Sequence, residues 1–159
     1  MGVAGAGKSL IGEMLARALH IEFLEGDHLH SAENVRRMAG GTPLTDKNRR
    51  EWLLRIAARL REAHRAGQGL VVSSSALKRS YRDLLRAAGD KNVQFVYLAG
   101  DRALIAERLA KRHGHYMPPS LLDSQLATLE EPSPDEHAWV CDIHDTPETI
   151  VADLVSRAS

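Results

Sequence analysis

The sequence has little of three features that mark common classes of protein. It has one cysteine, Cys141, so it cannot form an internal disulfide. Aromatic residues make up 4% of its 159 residues, which argues against a surface that stacks nucleobases. Lysine plus arginine balances aspartate plus glutamate at 21 each, so no overall charge attracts nucleic acid or an acidic membrane. We therefore expect no nucleic-acid partner and no membrane partner, and we expect a cytoplasmic location.

The chain also lacks a Pro/Gly/Ser-rich linker, an internal repeat and a low-complexity tract, so we expect a single domain spanning residues 1–159. Apolar runs alternate with helical patterns along it, which is typical of a parallel sheet covered by helices on both faces. The sequence thus predicts a three-layer α/β fold. The predicted strands are residues 21–24, 69–73, 93–98 and 139–143.

The first nine residues read MGVAGAGKS and fit the spacing G-x-x-x-x-G-K-[ST], which is typical of nucleotide phosphate loops. Glycines let the backbone take positive φ and approach phosphate without a Cβ in the way. A lysine adds mobile positive charge, and a serine hydroxyl can bind Mg²⁺. A chance match is the alternative, but apolar residues at helical spacing predict the required helix next. We expect ATP and Mg²⁺ to bind here, with these residues at the nucleotide: Gly2, Val3, Ala4, Gly5, Ala6, Gly7, Lys8 and Ser9.

Almost nothing precedes this loop, although such a loop normally follows a buried strand in the middle of the sheet. Five apolar side chains at about 1.5–3 kcal/mol each would contribute about 8–15 kcal/mol. A whole domain is stable by only about 5–15 kcal/mol. We therefore expect the first central strand to be missing or truncated before Met1, in a natural protein that is longer at its N-terminus. The alternative is a genuine start at Met1 with another segment filling the gap.

Several further strings, in order along nearly the whole chain, resemble the gluconate kinases (gluconokinases), a family of small P-loop kinases. The resemblance implies a P-loop kinase fold of the nucleoside- and shikimate-kinase type. It also implies ATP-dependent phosphorylation of D-gluconate at its 6-hydroxyl, with Mg²⁺ as cofactor, and suggests a homodimer. A related kinase with another acceptor, such as shikimate, and a non-catalytic nucleotide-binding module are the alternatives. The strings are FLEGDHLH, NVRRMAGGTPLTDKNRREWL, SSSALKRSYRDLLR, LAGD, RHGHYM and LLDSQLATLEEP.

Two acidic residues follow the predicted strand 21–24, at the carboxyl edge where open α/β sheets bind ligands. By the resemblance, Asp27 accepts a hydrogen bond from the acceptor hydroxyl, as a base or, as we favour, as a positioning group. Its structural alternative is a cap on the following helix. Glu25 stands where the family usually has aspartate, and its longer carboxylate could still hold Mg²⁺ through water, beside Ser9.

Gluconate carries a carboxylate, and the planar guanidinium of arginine binds carboxylates better than lysine does. Arg49 matches the arginine of the family's D-R-x-x-W-L stretch, and Arg50 is the neighbour most easily mistaken for it. The resemblance also implies that His30 contacts the substrate. Lys78 follows the strand 69–73 and either belongs to the substrate pocket or simply begins a helix.

The segment 114–134 has no strand pattern and carries Pro118, Pro119 and Pro132 among its prolines, so we expect it to form a mobile lid. A lid is needed because water competes with the sugar hydroxyl as nucleophile. The resemblance places His115 at the lid entrance, on the substrate side. The string LLDSQLATLEEP includes Gln125, whose role the sequence does not reveal.

Two arginines precede this lid and lie four residues apart, so a helix would present them on one face. We expect Arg108 or Arg112 to approach the ATP phosphates when the lid closes, and a solvated surface is the alternative. Arg112 is therefore grouped with Lys8 and Asp27 as catalytic.

Overall fold

A computed structural model describes residues 1–89, 92–111 and 119–158 of the chain. Within these ranges, no helix is both long enough and apolar enough to cross a bilayer. The helices are α1 (Lys8–Leu19), α2 (Ala32–Ala39), α3 (Asp46–Arg65), α4 (Arg79–Ala88), α5 (Arg102–Ala110), α6 (Pro119–Thr128) and α7 (Pro147–Ala158). The strands are β1 (Glu22–Glu25), β2 (Leu70–Ser73), β3 (Val96–Ala99) and β4 (Trp139–Asp142), and short 3-10 turns cover Gly26–Leu29 and Pro134–Glu136.

The four predicted strands are present, and they pair in parallel as expected. β1 pairs with β2 from Glu22 opposite Leu70, and β3 pairs with β4 from Val96 opposite Trp139. β3 begins at Val96, later than predicted, and Phe95 just before it is buried among apolar residues of α3 and α4. β1 ends at the turn that carries Asp27, and β2 ends shortly before Lys78.

The pairing differs from the single sheet that the sequence predicts, because β2 and β3 do not bond to each other. The backbone of Met1 lies between them, where its carbonyl accepts a hydrogen bond from the amide of Leu98 at 3.0 Å. The amide of Gly2 donates to the carbonyl of Ser75 at 3.2 Å. A cavity of about 610 Å³ separates the two strands and is lined by apolar side chains that include Val72. No described residue forms a strand ahead of α1.

The helices bury their apolar faces in two separate clusters. One cluster joins α1, α5, α6 and α7 to β3 and β4, and Ile105 and Leu154 are almost fully buried in it. The other joins α3 to α4 around Trp52 and Ile56. The two clusters share no residue, which fits helices on both faces of a central layer of strands.

Candidate active site

The loop from Gly2 to Ser9 has the backbone geometry that the motif predicts. Gly2, Gly5 and Gly7 all have positive φ, at 144°, 83° and 94°. At Gly5 a side chain is also excluded by space, because a Cβ there would lie 2.9 Å from Cγ of Leu109. α1 begins at Lys8, directly after the loop, so the positive end of the helix dipole faces the place where an anion would sit.

The ammonium of Lys8 is held inside this loop. Its Nζ donates to the carbonyl oxygen of Val3 at 3.0 Å, and the amide of Ala6 donates to the same oxygen at 3.3 Å. The lysine therefore lies along the inner side of the loop, where it can reach a bound phosphate by releasing one hydrogen bond.

Glu25 and Ser9 meet at the start of α1. The Ser9 hydroxyl donates to Oε2 of Glu25 at 2.5 Å, and the hydroxyl of Ser73 donates to Oε1. Burial raises the pKa of the Glu25 carboxyl, but these two hydrogen bonds and the charge of Lys8 outweigh it, so the pKa lies below its usual value. The carboxylate is therefore charged at neutral pH. A hydroxyl and a carboxylate are oxygen donors of the kind that Mg²⁺ prefers.

The turn after β1 is fixed by a close approach between two backbone segments. A Cβ on Gly26 would lie 2.1 Å from the carbonyl oxygen of Ser73, so only glycine fits. The indole Nε1 of Trp52 donates to the Gly26 carbonyl at 2.7 Å. This anchoring places Asp27 on the turn with 68% of its side chain exposed. The nearby helical caps are Glu25 and Ser31, so the structure does not support Asp27 as a cap.

His30 is placed beneath this turn. Its ring stacks on Trp52 with centroids 4.4 Å apart, and only 4% of its side chain is exposed. Nε2 lies 4.0 Å from the carboxylate of Asp27, while Nδ1 is buried without a hydrogen-bond partner among the described residues. Burial lowers the pKa of His30, so the ring is neutral at pH 7. The ring therefore lies close to Asp27 without a hydrogen bond to its carboxylate at this distance.

Arg49 and Lys78, which are far apart in the chain, meet at the phenol of Tyr81. Nη1 of Arg49 lies 3.5 Å from the Tyr81 hydroxyl, and its guanidinium carbon lies 6.0 Å from the ring centroid. Nζ of Lys78 lies 5.7 Å from the same centroid. Lys78 is also the N-cap residue of α4, as one of its two interpretations predicts, while its place in a substrate pocket stays a prediction.

Asp46 is the acidic partner of this cluster. It accepts hydrogen bonds from the Tyr81 hydroxyl and, at 2.9 Å, from Nζ of Lys78. The hydrogen bonds from Tyr81 and Lys78 lower the pKa of Asp46, and the bond to Asp46 raises the pKa of Lys78. The cluster therefore carries two cations and one anion at neutral pH. It can accept one further carboxylate.

A buried ion pair lies under the loop that carries Lys78. Arg82 is fully buried and donates twice to the carboxylate of Glu136, at 2.6 and 2.7 Å. The same guanidinium donates to the carbonyl oxygens of Ala76 and Leu77, at 3.1 and 3.3 Å. The hydrogen bonds from Arg82 lower the pKa of Glu136 to about 2. The pair thus fixes the backbone immediately before Lys78.

The described part of the predicted lid, from Pro119 onward, includes helix α6 with Gln125. Of Arg108, Arg112 and His115, only Arg108 lies in the described part of the chain. It is half-buried, and its Nη2 donates to the carbonyl oxygen of Ile143 at 2.5 Å. This contact places it at the carboxyl end of β4. Arg112 and His115 lie outside the described residues, as does the first part of the predicted lid.

The contacts of four residues in the site were not foreseen from the sequence. Asp46 and Tyr81 complete the cluster around Lys78, Ser73 holds Glu25, and Gln125 bonds to the phosphate loop. Their common feature is that each partner lies in a different element. All four residues lie within the strings that resemble gluconate kinases. Their position in these strings was the only signal in the sequence that they belong to the site.

Comparison with known proteins gives consistent results for sequence and structure. Residues 1–132 match the AAA domain family. Gluconokinase from Gluconobacter oxydans is 44% identical over 155 residues, which cover 98% of this chain and 86% of that protein.

Two solved structures are also similar. A sugar kinase from Janibacter sp. HTCC2649, in an unliganded structure, has a TM-score of 0.92 at 43% identity. The alignment covers 98% of this chain and 90% of that one. A gluconokinase from Sinorhizobium meliloti 1021 has a TM-score of 0.88 at 46% identity, and the alignment covers 96% of this chain and 85% of that one. The chain therefore has the fold of these P-loop kinases.

Proposed function

The chain belongs to the gluconokinase family, and from that premise we propose that it transfers the γ-phosphoryl group of ATP to the 6-hydroxyl of D-gluconate. The product is 6-phospho-D-gluconate. The observation that carries the proposal is that the phosphate loop and the turn bearing Asp27 are joined directly, by the contact between Ser9 and Glu25. A phosphoryl donor and an acceptor alcohol would thus lie at one edge of the strands.

The nucleotide half of the reaction is assigned to the loop from Gly2 to Ser9. Its positive-φ glycines, the start of α1 and the charge of Lys8 suit the β- and γ-phosphates of ATP. Ser9 and Glu25 would hold Mg²⁺, directly or through water. When bound, Mg²⁺ neutralises charge on the β- and γ-phosphate oxygens. These residues hold the donor in one orientation, which matters because phosphoryl transfer depends mainly on positioning and charge neutralisation.

The acceptor half is assigned to Asp27 and the cluster around Tyr81. Asp27 would accept a hydrogen bond from the 6-hydroxyl and orient it towards the γ-phosphorus. A loose transition state needs little help from a base, so positioning is its main contribution. Arg49 and Lys78 would bind the gluconate carboxylate at the other end of the sugar acid. His30, beside Asp27, would contact the substrate, as the resemblance implies.

The remaining assignments rest on the resemblance to gluconate kinases. The segment 114–134 would cover the substrates and exclude water, with α6 as its fixed part packed on the core, Arg108 or Arg112 reaching the ATP phosphates and His115 lining the entrance. Residues 1–159 would act as one kinase domain. A homodimer and a cytoplasmic location complete this proposal.

An acceptor screen tests the function. The purified protein is incubated with MgATP and D-gluconate, shikimate, AMP or no acceptor, and ADP release is followed with a coupled assay. We expect ADP release with D-gluconate to exceed the rate with every other acceptor by at least about a hundredfold, because unpaired buried polar groups penalise the wrong substrate. Equal rates with all acceptors, or a preference for shikimate, would contradict the proposal. Nucleotide binding without turnover would indicate a non-catalytic module.

A further inference from the structure

We propose that Gln125 is a positioning residue that fixes the Val3–Ala4 peptide unit of the phosphate loop and, through it, Lys8. Its Oε1 atom accepts a hydrogen bond from the amide of Ala4 at 2.7 Å, across 121 residues of chain. The kinetic consequence rests on the proposed function. The structural consequence can be measured without it.

Both ends of one peptide unit are held in this arrangement. The N–H of Ala4 points outward to Gln125, and the carbonyl of Val3 points inward, where it accepts from Nζ of Lys8 at 3.0 Å. The amide of Ala6 bonds to the same carbonyl at 3.3 Å. The two groups of a planar peptide unit turn together, so fixing the N–H also fixes the direction of the carbonyl. Gln125 thereby sets the resting position of the catalytic lysine.

Such an external anchor is needed because the peptide unit lies between two glycines. Gly2 and Gly5 flank Val3 and Ala4, and both have positive φ. Glycine tolerates many backbone conformations, so the loop cannot fix this unit by local sterics alone. A preformed loop also loses less conformational entropy when a triphosphate binds.

Gln125 lies on α6, which is itself held against the core. Leu122, one turn earlier on α6, is 2% exposed and belongs to the same apolar cluster as Val3 and Ala6. On the outer face of α6, Asp123 pairs with Arg102 of α5 at 2.7 Å, but this pair is exposed and contributes little to the position of the helix. Any shift of α6 therefore moves the acceptor of the Ala4 hydrogen bond, so the position of this helix is transmitted to the phosphate loop.

The test compares two variants at Gln125 with one control on the same helix. Gln125→Met keeps the length and removes the acceptor. Gln125→Glu keeps both the length and the acceptor oxygen. Asp123→Asn breaks the surface pair on α6 without touching the loop. For each protein we would measure hydrogen exchange at the Ala4 amide by NMR, the melting temperature, the Kd for MgADP, and kcat and KM for both substrates.

We expect Gln125→Met to speed Ala4 exchange at least about tenfold and to lower kcat/KM for ATP by about tenfold, since one hydrogen bond is lost. The KM for D-gluconate should stay within about twofold of the wild-type value. A general loss of structure would raise this KM as well. Gln125→Glu retains slow Ala4 exchange because its carboxylate accepts the same bond. Asp123→Asn matches the wild type in every measurement.

Unchanged Ala4 exchange in Gln125→Met would overturn the proposal. So would rapid exchange with an unaltered Kd for MgADP. If the wild type fails to phosphorylate D-gluconate, the proposed function fails, and the exchange and MgADP measurements still decide the role of Gln125. If Gln125→Met is too unstable to purify, rapid Ala4 exchange in Gln125→Asn, whose shorter side chain cannot reach Ala4, supports the proposal, and slow exchange overturns it.

Discussion

The phosphate loop and the cluster around Tyr81 lie on the two sides of the proposed site, and they are stabilised by different kinds of contact. The loop is eight consecutive residues whose backbone packs against Ile105 and Leu109 of α5. The cluster joins side chains from α3 and from the start of α4. Its ion pair links Asp46 to Lys78, and the Asp46 side chain is 64% exposed. A backbone cradle is preformed, whereas exposed ion pairs contribute little and exchange partners easily. We infer that the donor side is rigid and that the acceptor side adapts to its ligand.

The largest expected effect follows from removing the one side-chain charge of the loop. Lys8→Ala should lower kcat by about a thousandfold, which corresponds to about 4 kcal/mol of transition-state stabilisation. The melting temperature should change little, because the Val3 carbonyl that accepts from Lys8 also accepts from the amide of Ala6 and keeps that hydrogen bond. Arg17→Ala, which removes an exposed cation at the other end of α1, is the matched control for steady-state kinetics. A loss under tenfold in Lys8→Ala would show that this loop is not the catalytic one.

The next effect is on stability and tests whether the acceptor side rests on a rigid base. Glu136→Gln leaves the guanidinium of Arg82 buried without its counter-charge, which should cost about 3–5 kcal/mol of unfolding free energy. Because the loop before Lys78 is bonded to Arg82, the KM for D-gluconate should rise more than that for ATP.

This stabilisation has a defined pH dependence. The pKa of Glu136 is lowered from 4.5 to about 2 in the folded protein, so the unfolded state binds the proton more readily. The stabilisation is complete above about pH 4.5 and is lost as the pH falls towards about 2. Urea unfolding at pH 7 and pH 3 should therefore show a smaller gap between wild type and variant at pH 3. Asp135→Asn, at an exposed carboxylate, should show little change at pH 7. An equal gap at both pH values would contradict the argument.

A smaller loss of activity is expected from a change at Asp27, on the turn that joins the phosphate loop to the acceptor side. Asp27→Asn keeps a hydrogen-bond acceptor on the turn but removes the charge, so kcat should fall by about tenfold to a hundredfold. The KM for ATP should be unchanged, because Asp27 makes no described contact with the phosphate loop. Steady-state kinetics with each substrate varied separately measures both quantities. A loss of a thousandfold or more would instead assign Asp27 as an essential base.

The contrast between a loop of consecutive residues and a cluster of distant ones also explains which parts of the fold and the site the sequence predicted. The strands, α1 and the positive φ of the loop glycines follow from local patterns of apolar residues and glycine, and the structure confirms them. Asp46 and Tyr81 lie 35 residues apart, and their contact depends on how α3 packs on α4. The bond from Ala4 to Gln125 spans 121 residues. Such contacts depend on tertiary packing, which neither periodicity nor a short motif encodes.

The smallest effect is expected from a change of cation on the acceptor side. Arg49→Lys keeps the positive charge but loses the fork of N–H donors that matches a carboxylate, so the KM for D-gluconate should rise about tenfold. The kcat should stay within about threefold, since an interaction equal in ground and transition states affects KM alone. Arg50→Lys is the matched control, because Arg50 is exposed on the same turn of α3 and should leave the KM within about twofold. If Arg50→Lys raises the KM and Arg49→Lys does not, the carboxylate binds at the neighbouring arginine. If the two variants match the wild type, the carboxylate binds elsewhere and the adaptable cluster around Tyr81 is not the acceptor side.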